Sequence, residues 1–547
     1  MFLGALNPTA ETERRLELWT RELWPDSHRL RVQGARGSRC EIFLSGEAGV
    51  LERRHFEDAE GALALDGWLW NEAREAEGEL WGGLGPLAGE LASAAGWPLS
   101  RGWDGSFACA LFHRESGGLT LAVDPIGLHR LFYARSGDCV VFGSVQSAVA
   151  FSLGLLPDAP CLALWLATGY LAGRRTLFEG LREVMIGERL RLGPGGELVE
   201  SRADVPWHGA LEAESTDAAA DRIAPLLQRN ARRFADRLAP DRGGLALSGG
   251  MDSRLVLGAL GEKARGLRSY TYGGAGDYEC ELARRCAEAA GTEHSLVDLT
   301  GRYFPPRQTL RRRALLGEAI AFPFWVYLDA AAQRDGVETL WVGDLINALN
   351  VYIKPLRGRG ERLRRSWGRI TGRLESFDEN PMSSDEWLGG EIDRCTQAAS
   401  RMLGHWRLDT RESAVRERAE EQYHELFEHL QAPGLSLFRL QERFFLAVER
   451  GASGGGQVLS LAGTREIIPI FSTRKIVSAG WNVPYSMRSH RGLIDAVARR
   501  VLSPALRRLP TATIPLASLD APKWSQEALW LARFAADAAL SSAARRW

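Results

Sequence analysis

The chain has 547 residues, of which 45% are hydrophobic and 25% charged, a composition typical of globular proteins and a length too great for one core. Its formal net charge of −1 gives no sign of a nucleic-acid or membrane surface, so neither partner is expected. Seven scattered cysteines without a CxxC pair argue against a disulfide scaffold or zinc ribbon, and the N-terminus lacks a secretory signal pattern. We therefore expect a cytoplasmic protein of at least two domains.

The first two hundred residues have the pattern of a strand-rich region. Short alternating runs such as 39–44 and 119–123 are separated by glycine turns, which is typical of strands. Residues around 87–95 and 144–155 have the spacing of helices. These patterns predict a sandwich of strands with a few helices.

A domain boundary is predicted near residue 208, giving domains 1–207 and 208–547. A glycine turn at 192–197 and a polar stretch at 202–215 precede it. Apolar residues at helical spacing then predict a helix within 218–238, and Pro225 favours a start close to that proline. From 245 to 345 strand and helix patterns alternate, which predicts a doubly wound parallel sheet with ligands at its carboxyl edge.

The most informative stretch of this second domain is the hexapeptide Ser-Gly-Gly-Met-Asp-Ser at 248–253, which follows an apolar run and precedes a helical pattern. Glycines let a main chain approach a phosphate closely, and the N–H groups of a helix N-terminus attract anions. Ser248 and Ser253 can donate to phosphate oxygens, and Asp252 can hold Mg²⁺. A tight turn before a helix is the simpler alternative, but the full hexapeptide favours a nucleotide-phosphate site.

This hexapeptide resembles the SGG-[LM]-DS pyrophosphate loop of the asparagine synthetase family. The strand pattern at 269–273 and the helix opened by Asp277 follow in the order of that family. The resemblance implies that Tyr272 lies against adenine through its backbone. It implies ATP binding by Leu247, Ser248, Gly249, Gly250, Asp252, Ser253 and Tyr272.

The N-terminal region is similar to the family's glutamine amidotransferase domain, with matches at 103–108 and 124–133. This similarity implies an αββα sandwich. In active members a cysteine after the initiator methionine attacks glutamine, whereas this chain has Phe2 there and Asp66 in place of the oxyanion-hole asparagine. We therefore predict a retained fold without glutaminase activity. Asp104, which holds the glutamine amine in the family, then becomes a structural turn residue.

A second acidic position follows the apolar strand pattern that ends at Gly343. Asp344 resembles the family's second magnesium carboxylate, so Asp252 and Asp344 would together hold Mg²⁺ on the ATP phosphates. The alternative role for Asp344 is a helix N-cap. Trp341 and Leu345 replace family glutamates, which indicates that the acceptor side of the site is rebuilt or lost.

The remaining chain carries fewer family residues. The basic run at 354–373 fits a solvated helical face, or else a contact for an anionic substrate or leader peptide. Residues 383–450 have helical patterns. Ser472 replaces a family aspartate, and the family's lysine after a Leu-Pro segment has Lys523 as its one nearby candidate, so no other catalytic residue is assigned.

Three functions remain open. The intact loop favours an ATP-dependent ligase that joins a small-molecule or peptide carboxylate to an amine other than glutamine. Phe2 and the basic run favour a macrolactam-forming enzyme, as in β-lactam synthetases and lasso-peptide cyclases, acting on a precursor peptide beside its processing proteins. The replaced residues Trp341, Leu345 and Ser472 favour a non-catalytic ATP-binding regulator.

Overall fold

The computed structural model describes residues 1–34, 37–45, 53–76, 83–93, 97, 99, 102–204, 215–238, 240–301, 304–317, 324–343, 349, 383–406, 408–449, 465–488, 491–511, 518–521 and 525. No helix within these ranges is long and apolar enough to cross a bilayer. The predicted boundary at 208 lies outside them, so the two-domain division stays a prediction.

The N-terminal part forms two six-stranded sheets in which all neighbouring strands are antiparallel. Their strands are β1 (Phe2–Leu6), β2 (His28–Gln33), β3 (Arg39–Leu44), β4 (His55–Glu57), β5 (Gly61–Asn71), β6 (Trp103–His113), β7 (Leu119–Val123), β8 (Phe132–Ser136), β9 (Cys139–Gly143), β10 (Arg182–Glu183), β11 (Glu188–Leu192) and β12 (Leu198–Ala203). The strand orders are β10-β8-β9-β1-β3-β2 and β12-β11-β7-β6-β5-β4.

The alternation of side chains along these strands produces four layers. Phe2 of β1 joins the core between the two sheets, whereas the next residue, Leu3, faces the opposite side. Helices flank the sheets: α1 (Ala10–Leu23), α2 (Glu72–Ala76), α3 (Leu84–Ala92), α4 (Gln146–Leu153) and α5 (Ala159–Thr168). Helices α1 and α4 pack with Leu3 on the first sheet, and α3 packs on the outer face of the second sheet. The predicted αββα sandwich is confirmed.

The second part contains a five-stranded sheet whose neighbours are all parallel, in the order β15-β14-β13-β16-β17. Its strands are β13 (Gly243–Ala246), β14 (Arg268–Gly273), β15 (Glu293–Asp298), β16 (Thr339–Val342) and β17 (Glu466–Pro469). The connecting helices are α6 (Thr216–Ala235), α7 (Met251–Leu260), α8 (Tyr278–Ala290), α9 (Arg307–Gly317) and α10 (Trp325–Arg334). Helices α6, α7 and α8 pack on one face and α10 on the other, so the predicted doubly wound sheet is confirmed.

Helix α6 corrects one prediction. It begins at Thr216, nine residues before Pro225, and continues through that proline to Ala235. The Ser215 side chain caps its start by accepting from the Ala218 N–H group. Ala219, Ala220 and Ile223 are buried against the core. Burial of this face outweighs the backbone hydrogen bond that the proline removes, so the position of the proline alone gave the wrong helix start.

The helical patterns predicted at 383–450 are confirmed. The helices of the C-terminal part are α11 (Ser384–Trp406), α12 (Glu412–Leu430), α13 (Leu437–Glu449), α14 (Arg474–Trp481), α15 (Tyr485–Arg488), α16 (Gly492–Val501) and α17 (Pro504–Arg508). Leu164 of α5 shares a buried cluster with Leu388 of α11 and Tyr423 of α12. The C-terminal helices therefore pack against the N-terminal part as well as the parallel sheet.

Candidate functional site

The predicted loop lies at the carboxyl edge of the parallel sheet. Strand β13, between β14 and β16, ends at Ala246, and helix α7 begins at Met251. Residues 247–250 form the turn between them. Ligands of open parallel sheets bind at this edge, so the local fold places the hexapeptide where such a site is expected.

Two serines brace the turn. The Ser248 N–H group donates to Ser253 Oγ at 3.2 Å, and the two hydroxyl oxygens also lie 3.2 Å apart. The Gly250 N–H group points to Ser248 Oγ at 3.3 Å. Gly250 is the N-cap residue of α7. It has no side chain that could accept a hydrogen bond from the N–H groups of the first helical turn. This arrangement leaves a helix N-terminus open to an anion.

Close backbone approaches require glycine at two positions of the site. Gly249 has a φ of 70°, and a Cβ there would lie 2.8 Å from the Ala283 backbone nitrogen. A Cβ on Gly343, just after β16, would lie 2.7 Å from the Ser253 backbone nitrogen. A side chain at either position would displace the loop or the first turn of α7.

The Asp252 carboxylate lies half-buried in the first turn of α7 and lines the cavity beside the loop. Burial raises its pKa to about 6, and the charge of Arg491 partly opposes that rise. No hydrogen bond or ion pair within the described part of the chain engages this carboxylate. The described residues also contain no cluster of three or more histidine, cysteine or acidic side chains that could hold a metal without a ligand's help.

The second predicted metal ligand, Asp344, lies outside the described residues, as do Lys523 and the basic run at 354–373. The residue before Asp344 is nevertheless informative. A Cβ on Gly343 would lie 2.7 Å from the Asp252 carbonyl carbon, so the end of β16 abuts the Asp252–Ser253 peptide. The roles of Asp344 and Lys523 stay predictions.

A cavity of about 240 Å³ opens beside the loop. Five of the seven residues predicted to bind ATP line it: Leu247, Ser248, Asp252, Ser253 and Tyr272. Sequence reasoning missed Thr271, Glu279, Trp325 and Leu328, which also line it. The Thr271 hydroxyl donates to the Leu247 carbonyl and so ties β14 to the start of the loop.

Aromatic residues such as Tyr272 and Trp325 line this cavity, and Phe324 packs against Tyr272. The Tyr272 ring lies 4.8 Å from the Phe324 ring and 6.2 Å from the Trp325 ring, measured between centroids. The latter two residues come from the start of α10, far from the loop in sequence. The adjacent aromatic residues Phe324 and Trp325 are visible in the sequence, but no family motif indicated that they lie near the loop.

In the N-terminal part, the residues that the family resemblance places at a glutamine site make contacts with the protein itself. Phe2 is fully buried in β1. Asp66 Oδ1 lies 3.1 Å from the Met1 amino nitrogen and 3.6 Å from His129 Nδ1. Burial alone would raise the pKa of Asp66, but the Met1 ammonium and His129 hold it well below its ordinary value.

Asp104 joins the two parts of the molecule. Its carboxylate accepts from the Gly105 N–H group at 2.9 Å and from the Arg474 N–H group at 2.8 Å, with the Lys475 N–H group at 3.4 Å. The last two N–H groups begin helix α14. Burial raises the pKa of Asp104 to about 6, against the pull of these N–H groups and the Lys475 charge.

Further contacts connect β5 and the residues before β4 with β17. The Trp68 Nε1–H group donates to the Ile467 carbonyl at 2.8 Å. Arg53 and Arg54 pair with the Glu466 carboxylate at 2.8 and 3.0 Å. The N-terminal part therefore contacts a strand of the parallel sheet directly.

Two positions with family carboxylates have become part of the core. Trp341 of β16 is 2% exposed and packs edge-to-face on Phe234, with ring centroids 6.0 Å apart. Ser472 is 1% exposed, and its hydroxyl has no hydrogen-bond partner among the described residues. Neither side chain can supply the charge that the family has there.

Comparison with known proteins gives two family matches. Residues 234–344 match the asparagine synthase family model, and residues 91–201 match the model of the glutamine amidotransferase domain. The first match spans the loop and Tyr272, and the second spans Asp104. No curated protein sequence matches the chain.

Three solved structures match this chain with low sequence identity and low TM-scores. The allosteric regulatory enzyme of purine biosynthesis is 11% identical over 54% of this chain and 80% of its own, with a TM-score of 0.26. Glutamine phosphoribosylpyrophosphate amidotransferase from B. subtilis, complexed with ADP and GMP, is 12% identical over 63% and 82%, with a TM-score of 0.26. NMN synthetase from Francisella tularensis is 11% identical over 41% and 100%, with a TM-score of 0.17.

Proposed function

We propose that the chain is an ATP-dependent amide-forming ligase, because residues 234–344 match the asparagine synthase family model and residues 91–201 match that of the glutamine amidotransferase domain. It activates a carboxylate as an acyl-adenylate, releases pyrophosphate and AMP, and uses an amine donor other than glutamine. The observation that carries this proposal is the glycine turn at the carboxyl edge of the sheet, where an open helix N-terminus lies beside the half-buried Asp252 carboxylate.

The residues present fit a nucleotide and its magnesium ion. The close approaches at Gly249 and Gly343 shape a backbone surface without side chains, as phosphates need. Mg²⁺ usually takes one or two carboxylates and completes its shell with phosphate oxygens and water, so Asp252 without a larger acidic cluster is a suitable ligand. When bound, the ion would neutralise charge that develops on the phosphates. The Tyr272 side of the cavity would receive the base.

The proposed chemistry has two steps. A carboxylate oxygen of the substrate attacks the α-phosphorus of ATP, and the bond from that phosphorus to the bridging oxygen breaks as pyrophosphate leaves. An amine nitrogen then attacks the acyl carbon, loses a proton to solvent and displaces AMP. The loop N–H groups stabilise charge on the departing pyrophosphate, which is where fixed donors accelerate such reactions most.

The state of the N-terminal part supports an amine source other than glutamine. The Asp104 carboxylate, at the family's glutamine-amine position, is already occupied by backbone N–H groups, two of them from α14. Phe2 is buried within β1 and has no contact with solvent. Free ammonia, a small amine or an amine on the substrate itself would then complete the reaction.

The test is carboxylate-dependent exchange of labelled pyrophosphate into ATP, with a panel of amino acids and peptides. We expect exchange with one acid and its loss in Asp252→Ala. Glu262→Ala is the matched control because it removes an exposed carboxylate just after α7, paired with Arg265, without touching the cavity. Exchange that survives in Asp252→Ala at the wild-type rate would contradict the assignment of the site.

The panel also separates the ligase from its macrolactam-forming alternative. Exchange that depends on the carboxylate of a peptide with its own amine, together with a cyclic product, would identify the macrolactam-forming enzyme. Exchange that depends on a free amino acid, together with an amide formed from an added amine, would identify the ligase.

A second candidate, a non-catalytic ATP-binding regulator, is favoured by the burial of Trp341 and Ser472 at positions where the family has carboxylates. It predicts ATP binding without pyrophosphate exchange for any acid. A complete panel that gives no exchange, alongside measurable ATP affinity, would select this candidate.

A further inference from the structure

One arginine of the loop region is buried completely. Arg254, in the first turn of α7, has 0% of its surface exposed. Its Nη2 donates to the Gly249 carbonyl at 2.8 Å and to the Pro510 carbonyl at 2.7 Å. Its Nη1 donates to the Leu506 and Leu509 carbonyls at 3.2 and 3.1 Å. The guanidinium group therefore joins the loop to the chain segment around α17.

The buried position of the Arg254 guanidinium group is unfavourable for its positive charge. None of the ion pairs within the described residues includes Arg254, and burial lowers its pKa, although a guanidinium stays protonated in proteins. Taking an unpaired cation out of water is unfavourable, and the first turn of a helix disfavours positive charge. The acceptors at the carboxyl end of α17 offset part of that cost, since this end of a helix favours cations. A merely space-filling role would be met by an apolar side chain.

The bond to Gly249 fixes the orientation of the loop. A peptide unit is planar and trans, so its carbonyl and N–H groups point in opposite directions. Because Arg254 holds the Gly249 carbonyl on the buried side, the Gly250 N–H group is directed to the exposed side, where it meets Ser248 Oγ. The same side chain thus sets the direction of the Gly250 N–H group and, through it, the place of the Ser248 hydroxyl at the cavity.

We propose that Arg254 is a positioning residue that fixes the Gly249–Gly250 peptide for polyphosphate binding and couples the loop to the segment 506–510. This inference rests on the proposed ATP site. Since the loop contacts phosphates and the Tyr272 side contacts the base, loss of Arg254 weakens ligands with a polyphosphate far more than ligands without one. Because coupling is reciprocal, a polyphosphate on the loop also stabilises the segment 506–510.

The experiment compares ATP with AMP by calorimetry on the full chain. In Arg254→Lys and Arg254→Gln we expect affinity for ATP to fall by about tenfold or more, and affinity for AMP to change by less than about twofold. Arg488→Lys is the matched control: Arg488 is also fully buried, donates to the Val483 carbonyl at 2.9 Å and pairs with Glu442 at 2.6 Å. We expect this control to lower the melting temperature without changing the ratio of the two affinities.

Equal losses of ATP and AMP affinity in the Arg254 variants, or no loss, would overturn the inference. Failure of the wild-type chain to bind ATP would instead remove the proposed function, and the inference with it. If the Arg254 variants do not fold, hydrogen exchange on the wild-type chain tests the same coupling. We expect ATP, but not AMP, to slow the exchange of the backbone amides in 504–511. Equal protection by both nucleotides, or none, would contradict the coupling.

Discussion

The loop of the parallel sheet and the glutamine-site positions of the N-terminal part use their polar groups in opposite ways. At the loop, the first turn of α7 lacks a capping side chain, and Asp252 has no hydrogen bond or ion pair among the described residues. In the N-terminal part, Asp66 lies against the Met1 amino group and Asp104 accepts from the start of α14. A ligand can bind the first set of groups without displacing protein contacts, but not the second.

This difference shows how polar groups can serve two purposes within one chain. A polar group that the protein has already satisfied contributes to stability, since a buried group without a partner is costly. A polar group left open at a sheet edge can contribute to binding. We infer that the N-terminal part supports the position of β17 and α14, while the loop carries the ligand.

The largest effect is expected from Gly249→Ala. The new Cβ would lie 2.8 Å from the Ala283 nitrogen at a backbone φ of 70°, so the loop must move. We expect ATP affinity to fall by at least about 100-fold, measured by calorimetry. Gly261→Ala is the control, because it also has a left-handed φ, 56°, but no neighbouring atom within 4 Å. Similar ATP affinities in both variants would show that the loop does not bind the phosphates.

Asp104→Asn tests the N-terminal side of the comparison. An ordinary aspartate has a pKa of 3.8, whereas burial raises the pKa of Asp104 to about 6. Between these values the unfolded chain has released a proton that the folded chain keeps, so this residue lowers the free energy of unfolding as pH rises, by on the order of 2–3 kcal/mol. Above about pH 6 its contribution is constant.

We therefore expect the difference in urea stability between wild type and Asp104→Asn to change between about pH 4 and pH 6 and to level off above it. The Lys475 charge and the N–H groups of Gly105, Arg474 and Lys475 oppose this rise in the pKa of Asp104. A difference that does not vary with pH would mean that Asp104 titrates as an exposed carboxylate.

Gly343→Ala sharpens the assignment of the sheet edge. Its Cβ would lie 2.7 Å from the Ser253 nitrogen, which would push the first turn of α7 away from β16. We expect about a tenfold loss of ATP affinity, smaller than for Gly249→Ala because Gly343 contacts the helix rather than the turn. Gly336→Ala, at a φ of 73° with open space around it, should leave ATP affinity unchanged. An unaffected Gly343→Ala variant would separate β16 from the site.

The smallest effect is expected from Trp68→Phe. This change removes the buried donor to the Ile467 carbonyl and keeps most of the ring. We expect a loss of about 1 kcal/mol in urea stability without a change in ATP affinity. Trp406→Phe, at a ring that is 56% exposed, is the control and should be neutral. A Trp68→Phe variant that loses ATP affinity would show that the N-terminal part does more than support β17.

The features that sequence reasoning found are local ones. The hexapeptide from Ser248 to Ser253 is contiguous, and its strand and helix neighbours carry their own periodicity, so its place at a sheet edge followed directly. Sequence patterns also predicted the strand-rich sandwich and the parallel sheet. The start of α6 was wrong because Pro225 is a local signal, whereas burial of Ala219 and Ile223 depends on the folded core.

The missed features depend on segments that are distant in sequence. Trp325 reaches the cavity only because α10 packs on the sheet, and Gly343 matters because β16 ends beside α7. Arg254 stood next to the hexapeptide, yet nothing in the sequence indicated that it would bind carbonyls near residue 510. Asp104 was predicted to have a structural role. The sequence did not indicate that its carboxylate would accept from the first N–H groups of a helix some 370 residues later.

The most direct test of the account is a pair of calorimetric titrations of the full chain, one with ATP and Mg²⁺ and one with L-glutamine. The account predicts saturable binding of ATP that Gly249→Ala abolishes and Gly261→Ala keeps, and no binding or hydrolysis of glutamine. Binding of glutamine without binding of ATP would reverse the roles assigned to the two regions and contradict the account.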